Sequence, residues 1–126
     1  MDEAVRQALA RGGTIDITTT GRKTGQPRRI EIAFSNVDGT VYITGTPGRP
    51  RSWYANLRAH PEFTFHLKQD VMADLPARAT AILDKEQRRA ILSNILGRFA
   101  ARSGRTYDLD DWVEHAPLVA VSFPNA

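Results

Sequence analysis

Along much of this chain apolar residues recur with a period of two. Ile15 and Ile17 alternate with Asp16 and Thr18. Ile30, Ile32 and Phe34 alternate with Arg29, Glu31 and Ala33, and Phe63, Phe65 and Leu67 alternate with Thr64, His66 and Lys68. Successive side chains of a strand point to opposite faces, so each run predicts a strand with one buried face. Val41 and Ile43 predict a fourth strand after Asp38-Gly39, a pair that tolerates the positive φ of a tight hairpin turn. An extended stretch over 72–83 is a fifth; Pro76 places it at an edge or a bulge, because proline donates nothing to a ladder. Leu118–Phe123 is a sixth.

Elsewhere the pattern is helical. Residues 3–10 predict a short helix ended by Gly12-Gly13, and Ser52–Ala59 another, stopped before Pro61. Over 84–102, Ile91, Leu92, Ile95, Leu96 and Phe99 form one apolar stripe, which marks the main helix. Asp84 with Gln87 makes a capping-box-like start, and Gly104 suits the C-cap. Asp108, Asp110 and Asp111 read as the acid-rich start of a last helical turn ending near His115, not as a catalytic pair. The fold class is therefore mainly β (α+β): a small antiparallel barrel of about six strands with flanking helices. No repeat or linker divides the chain, so 1–126 reads as a single domain.

Composition narrows the chemistry. With 41% hydrophobic and 25% charged residues the chain falls in the globular range. The absence of cysteine excludes disulfides, thiolate catalysis and Cys-ligated metal clusters. His60, His66 and His115 show no ligand spacing, so no metal site is expected. Asp2 and Glu3 precede no apolar signal region, and no apolar run approaches the roughly 18 residues that span a bilayer. The expected address is cytoplasmic, with no integral membrane segment.

The net charge is only +3, but it is unevenly placed. Between Gly21 and Arg58 the seven basic residues Arg22, Lys23, Arg28, Arg29, Arg49, Arg51 and Arg58 face two acids, Glu31 and Asp38. The rest of the chain is net negative, so the positive charge belongs to a site and not to the whole surface. Two segments carry it. Thr18–Arg29 lies between strands; Gly21 and Gly25 free its backbone, Arg22, Lys23 and Arg28 supply charge, and Thr20 and Thr24 supply hydroxyls. Thr44–Leu57 runs from a strand end through Gly45, Pro47, Gly48, Arg49, Pro50 and Arg51 into a helix start, where free N–H groups favour an anion. Trp53 and Tyr54 add flat apolar surface, which suits a ligand with a ring at one end and a phosphate at the other; the alternative is that they pack the helix onto the barrel. Neither a P-loop, a GxGxxG fingerprint nor a GxSxG elbow is present.

Together, TTTGRKTGQPR (Thr18–Arg28), VYITG (Val41–Gly45) and WYANLRAHPEF (Trp53–Phe63) resemble the deazaflavin-dependent nitroreductase family. The resemblance spans roughly residues 14–123. It implies a split β-barrel that binds coenzyme F420, a 5-deazaflavin with a ribityl chain, a phosphate, a lactyl link and a glutamate tail. By matching position, it implies that Arg22, Lys23, Thr24, Gly25, Gln26, Pro27 and Arg28 hold the phosphate and tail. Thr44, Gly45 and Thr46 would face the ring, with Arg51, Trp53 and Tyr54 completing the cofactor site. The substrate pocket would draw on Ala33, Trp53, Tyr107 and Trp112. Nitroimidazole-activating members carry Tyr where Ala33 stands, and tyrosines before the late Trp where this chain has Leu109 and a displaced Tyr107.

The implied activity is hydride transfer from reduced F420 to a planar, electron-poor acceptor: a quinone, an enone or a nitro compound. The hard chemistry belongs to the cofactor, so no side chain is assigned as a covalent catalyst. Alternatives are a split barrel that binds FMN, heme or a fatty acid without F420 turnover. Nucleic-acid binding through the basic loops is disfavoured by the weak net charge and the lack of a known module. The expected partner is a small-molecule substrate, and the expected state a monomer or homodimer.

Overall fold

The structure is a computed structural model and describes residues 1–49 and 51–124. Strand β1 (Gly13–Thr20) pairs on one side with β2 (Pro27–Val37) and on the other with β4 (Glu62–Lys68), antiparallel in both cases. The long β2 serves two neighbours: Pro27–Phe34 ladders to β1, and Ser35–Val37 to β3 (Thr40–Thr44). Strand β3 meets β6 (Leu118–Ser122), β6 meets β5 (Met72–Ala81), and β5 returns to β4. This closes a six-stranded barrel in the order β1-β2-β3-β6-β5-β4. Helices α1 (Glu3–Arg11), α2 (Ser52–Ala59), α3 (Lys85–Ser103) and α4 (Leu109–His115) flank it. No helix among the described residues is long and apolar enough to cross a membrane.

The local signals act as expected. Asp38 (φ 52°) and Gly39 (φ 91°) both take positive φ in the β2–β3 hairpin, as a primed turn requires. Pro76 lies opposite Thr64 in the β4 ladder, whereas β6 pairs only with Arg78–Ala81. The proline thus sits on the half of β5 that has β4 as its one ladder partner, an edge-like position. Asp84 accepts from the Gln87 N–H at 2.9 Å to cap α3, and Asp108 accepts from the Asp111 N–H at 3.2 Å to cap α4.

The apolar alternation builds two cores. Inside the barrel Ile15, Ile17, Ile43 and Phe65 are fully buried, Phe34 meets Phe65 edge-on at 5.2 Å, and α2 adds Trp53 and Leu57. The second core forms where Leu92, Ile95 and Leu96 of α3 pack on Trp112 and Val113 of α4 and on Leu118. Each such side chain contributes about 1.5–3 kcal/mol on burial.

The outer wall of β1, β2 and β4 is polar and tied by charge. Asp16 accepts from Lys68 at 2.7 Å and Arg29 at 3.0 Å, and Lys68 also reaches Glu31. Hydrogen bonds from Lys68 and then Arg29 hold the Asp16 carboxyl below the ordinary aspartate range. The folded protein keeps this carboxylate ionised at a pH where the unfolded chain protonates it. Its contribution is therefore complete above about pH 4 and fades as pH falls through the lowered native value. Asp16→Asn is expected to flatten the acid limb of stability below about pH 4, read from denaturant midpoints across pH, and to leave its shape above neutrality unchanged.

On the same wall Nε2 of His66 meets the Thr18 hydroxyl at 2.7 Å, and Nδ1 meets Asp74 at 2.7 Å. The order hydroxyl, imidazole, carboxylate is that of an acyl-transfer relay. Thr18 itself lies in the ladder on both sides, paired with Arg29 of β2 and Thr64 of β4. The three side chains link β1, β4 and β5.

Candidate functional site

The β1–β2 loop carries the first cationic segment. Its turn is closed by backbone bonds, Gly21 N–H to the Gln26 carbonyl and Gly25 N–H to the Gly21 carbonyl, both at 2.8 Å. Within it the Thr24 hydroxyl accepts from the Gln26 N–H at 3.2 Å. This compact turn holds Arg22, Lys23 and Arg28 at the mouth of a cleft of about 340 Å³, shared with Thr19, Ile30 and, from α2, Ser52, Trp53 and Asn56. A volume of that order suits a small ligand.

The α2 start adds to the positive character. Its N-cap is Arg51, and among the described residues no side chain caps the first turn, which leaves the positive end of the helix uncapped at the cleft. Trp53 is buried to 7% exposure and belongs to the barrel core, yet its ring also lines the cleft. Packing of the helix onto the barrel is thus what the structure shows for Trp53, at a position that also borders the cleft.

Asn56 joins the two segments and is the residue that sequence reasoning missed. Only 3% exposed, it accepts at Oδ1 from the Arg22 N–H (3.1 Å) and the Arg22 guanidinium (3.3 Å), and donates from Nδ2 to the Thr19 hydroxyl (3.1 Å). Its place within the WYANL run was the available signal; its partners, 37 and 34 residues away, were not visible. Asn56→Ala leaves the Thr19 hydroxyl and Arg22 N–H without their buried partner. The expected cost is about 1–3 kcal/mol, read from chemical denaturation, with a weaker ligand site as a second readout.

The expected site residues separate into groups. Arg22, Lys23, Thr24, Arg28 and Trp53 come together in this cleft. Gly25 and Pro27 line an adjoining groove with Thr18, Thr20 and Thr64, and Gln26 closes the turn. Arg51 and Tyr54 line a second cleft, on a different flank of α2. The Thr44 hydroxyl donates to the Pro117 carbonyl at 2.6 Å, while Gly45 and Thr46 lie against the Arg51 guanidinium, which donates to the Thr46 carbonyl at 2.7 Å. Ala33 is exposed on β2 opposite Thr14, away from both clefts. Tyr107 and Trp112 pack in the second core, with Tyr107 5.8 Å from Trp112 and 6.1 Å from Phe99, and neither lines a cleft described here.

No carboxylate pairs with Arg22, Lys23 or Arg28 among the described residues, although ion pairs are frequent elsewhere on the surface. The cleft thus sets unneutralised cations beside an indole wall. No cluster of His, Asp or Glu suited to a metal ion occurs among the described residues.

The closed six-stranded barrel with its flanking helices defines a split β-barrel protein. Residues 3–108 match the family profile described as F420H2-dependent quinone reductase, and the chain belongs to that family. F420H2-dependent quinone reductases of Mycobacterium tuberculosis are 44% identical over 48 residues, which cover 35% of this chain and 32% of the relative. The chain thus spans about a third of the length of the curated relatives it matches. Among solved structures, one called an F420 reductase superposes with a TM-score of 0.67 at 18% identity, covering 98% of this chain and 95% of its own. A conserved hypothetical protein of M. tuberculosis gives 0.68 at 18% identity, covering 98% and 81%. An FAD-binding protein of Mesorhizobium loti gives 0.67 at 11% identity, covering 98% and 90%. At these identities the structures establish the shared split-barrel fold and nothing finer.

Proposed function

We propose that this chain is an F420H2-dependent reductase that delivers a hydride to a planar, electron-poor acceptor such as a quinone, an enone or a nitro compound. The carrying observation is the cleft in which Arg22, Lys23 and Arg28 stand without carboxylate partners beside Trp53 and the open α2 N-terminus. The donor set fits the cofactor: two guanidiniums and an ammonium for phosphate and tail carboxylates, hydroxyls at Thr19 and Thr24, and Ile30 and Trp53 as apolar walls.

In this reading the bound cofactor supplies hydride donation from its reduced ring. The protein's own residues bind and orient. Asn56 fixes the Arg22 backbone and side chain, so the loop is ordered before the ligand arrives. Arg28, exposed at the start of β2, offers a planar fork to an anionic oxygen. Trp53 and Ile30 exclude water from one side of the cleft.

The test is anaerobic oxidation of F420H2 by menadione, followed through the return of F420 absorbance. Protein-dependent turnover is the expected result, and Arg28→Ala is expected to lower kcat/KM about tenfold or more. A rate no higher than that without protein contradicts the proposal.

A further inference from the structure

The second cleft encloses about 320 Å³ between the loop after β3, the first turn of α2, and the facing ends of α3 and α4. Its walls carry Arg49, Arg51, Lys85 and Arg88, with Glu114 as the one carboxylate. Lys85 holds that carboxylate at 2.8 Å, and His115, also at the rim, is engaged by Asp111 at 2.9 Å. The guanidiniums of Arg49, Arg51 and Arg88 therefore have no carboxylate partner among the described residues.

Arg51 is built into place. A Cβ on Gly45 would lie 2.9 Å from its Nε and 3.0 Å from its Cζ, so the guanidinium lies close against the glycine of this loop. One terminal nitrogen donates to the Thr46 carbonyl, but the buried Nε–H has no partner among the described residues. A buried donor left unmade is costly, so this edge of Arg51 is strained, and it is the terminal nitrogens, on the exposed side, that an anion can reach. Burial, and then the neighbouring Arg49 charge, also lowers the Arg51 pKa, a penalty that a bound anion relieves. Arg88 adds a buried positive charge beneath the cleft. The remaining wall is apolar or aromatic: Tyr54, Val113, Pro117 and the exposed Leu83. Such a wall fits a ring better than a polar tail.

We propose that this second cleft receives a carboxylate carried by the hydride acceptor, with Arg51 as its fork, so that the protein prefers planar acidic acceptors over neutral ones. The inference rests on the reductase reading for the word acceptor, but the cleft and its orphaned donor stand independently of it. Arg51 touches the Gly45–Thr46 loop, so an anion seated on it lies beside the segment expected to face the cofactor ring.

The experiment measures binding of 2-naphthoate and of its neutral analogue 2-naphthamide to the purified protein by calorimetry, with and without saturating F420. The expected result is naphthoate binding about tenfold or more tighter than naphthamide. Arg51→Gln removes that preference, whereas Arg51→Lys, which keeps charge without the fork, retains part of it. Arg22→Ala with Lys23→Ala leaves the preference intact, so failure of F420 to bind would not disturb this outcome. Should Arg51→Gln not fold, Arg51→Lys and Arg49→Gln carry the test. Equal binding of the two probes, a preference unchanged in a folded Arg51→Gln protein, or its loss in the Arg22/Lys23 variant would overturn the proposal. Displacement of naphthoate by saturating F420 would also overturn it, assigning the cleft to the cofactor's tail.

Discussion

Replacing Arg22 and Lys23 together with alanine is expected to weaken F420 binding by about 2–4 kcal/mol, a loss of roughly thirty- to several-hundredfold in Kd. Both side chains are exposed at the mouth of the first cleft, and neither has a carboxylate partner that would share the loss. The Arg22 side chain makes one long bond to Asn56, at 3.3 Å, while its backbone N–H makes the shorter one at 3.1 Å and survives substitution. Stability should therefore change by less than about 1 kcal/mol while affinity collapses. The salt dependence should fall too, since screening acts on exposed charges. Isothermal calorimetry at two ionic strengths, with a thermal melt as control, reads all three quantities. Unchanged affinity in a folded double variant would remove the loop from the site.

The second large effect concerns Arg88 and stability. This side chain is 6% exposed. Its Nε donates to the Val113 carbonyl at 2.7 Å, one terminal nitrogen to Ile82 at 2.9 Å, and the other to Trp112 at 3.1 Å and to Ala116. Three of those carbonyls belong to the end of α4, where the helix dipole favours a cation. One guanidinium thus ties α3, the chain after β5, and α4. Arg88→Ala deletes every one of these bonds and leaves buried carbonyls unsatisfied. The expected loss is about 3–5 kcal/mol. For a domain of this size it lowers Tm by roughly 10–20 °C, measurable by calorimetry. Because Arg88 also floors the second cleft, Arg88→Met, which restores bulk without donors, should recover little. A melt within about 2 °C of the parent would show that the bonds are not worth what their burial implies.

The elements were legible because their signals are local. Strict alternation placed Ile15, Ile17, Phe63, Phe65 and Leu67 inward, and Asp84, Gly104 and Asp108 marked helix ends that the structure reproduces. The same alternation sets Ala33 in step with Arg29 and Glu31, on the exposed face, and there the structure holds it. Its assignment to a substrate pocket came from matching position in the family and not from the parity of β2. Tyr107 packs in the second core between Phe99 of α3 and Trp112 of α4, tertiary contacts that no spacing in the chain encodes.

The site was legible as charge and only partly as geometry. The cationic loop and Trp53 do share a cleft, but Arg51 and Tyr54, one residue to either side of the Ser52–Trp53 pair, face another. Helix rotation separates neighbours in sequence onto different flanks, and a run of letters does not show which flank each takes. Arg88 left a readable trace: it stands four residues before Leu92, in line with the apolar stripe of α3. A charged residue at such a position implies a buried partner set, here the far end of another helix.

Occupation of the first cleft by F420 is what its unpaired cations and Trp53 predict. Its most direct test is an equilibrium titration of the purified protein with F420, followed by quenching of the cofactor's fluorescence. One saturable site per chain with a Kd in the micromolar range or below, weakened by Arg22→Ala with Lys23→Ala and untouched by Arg49→Gln, is the predicted result. No binding at tens of micromolar F420, in a protein that melts cooperatively, would contradict it.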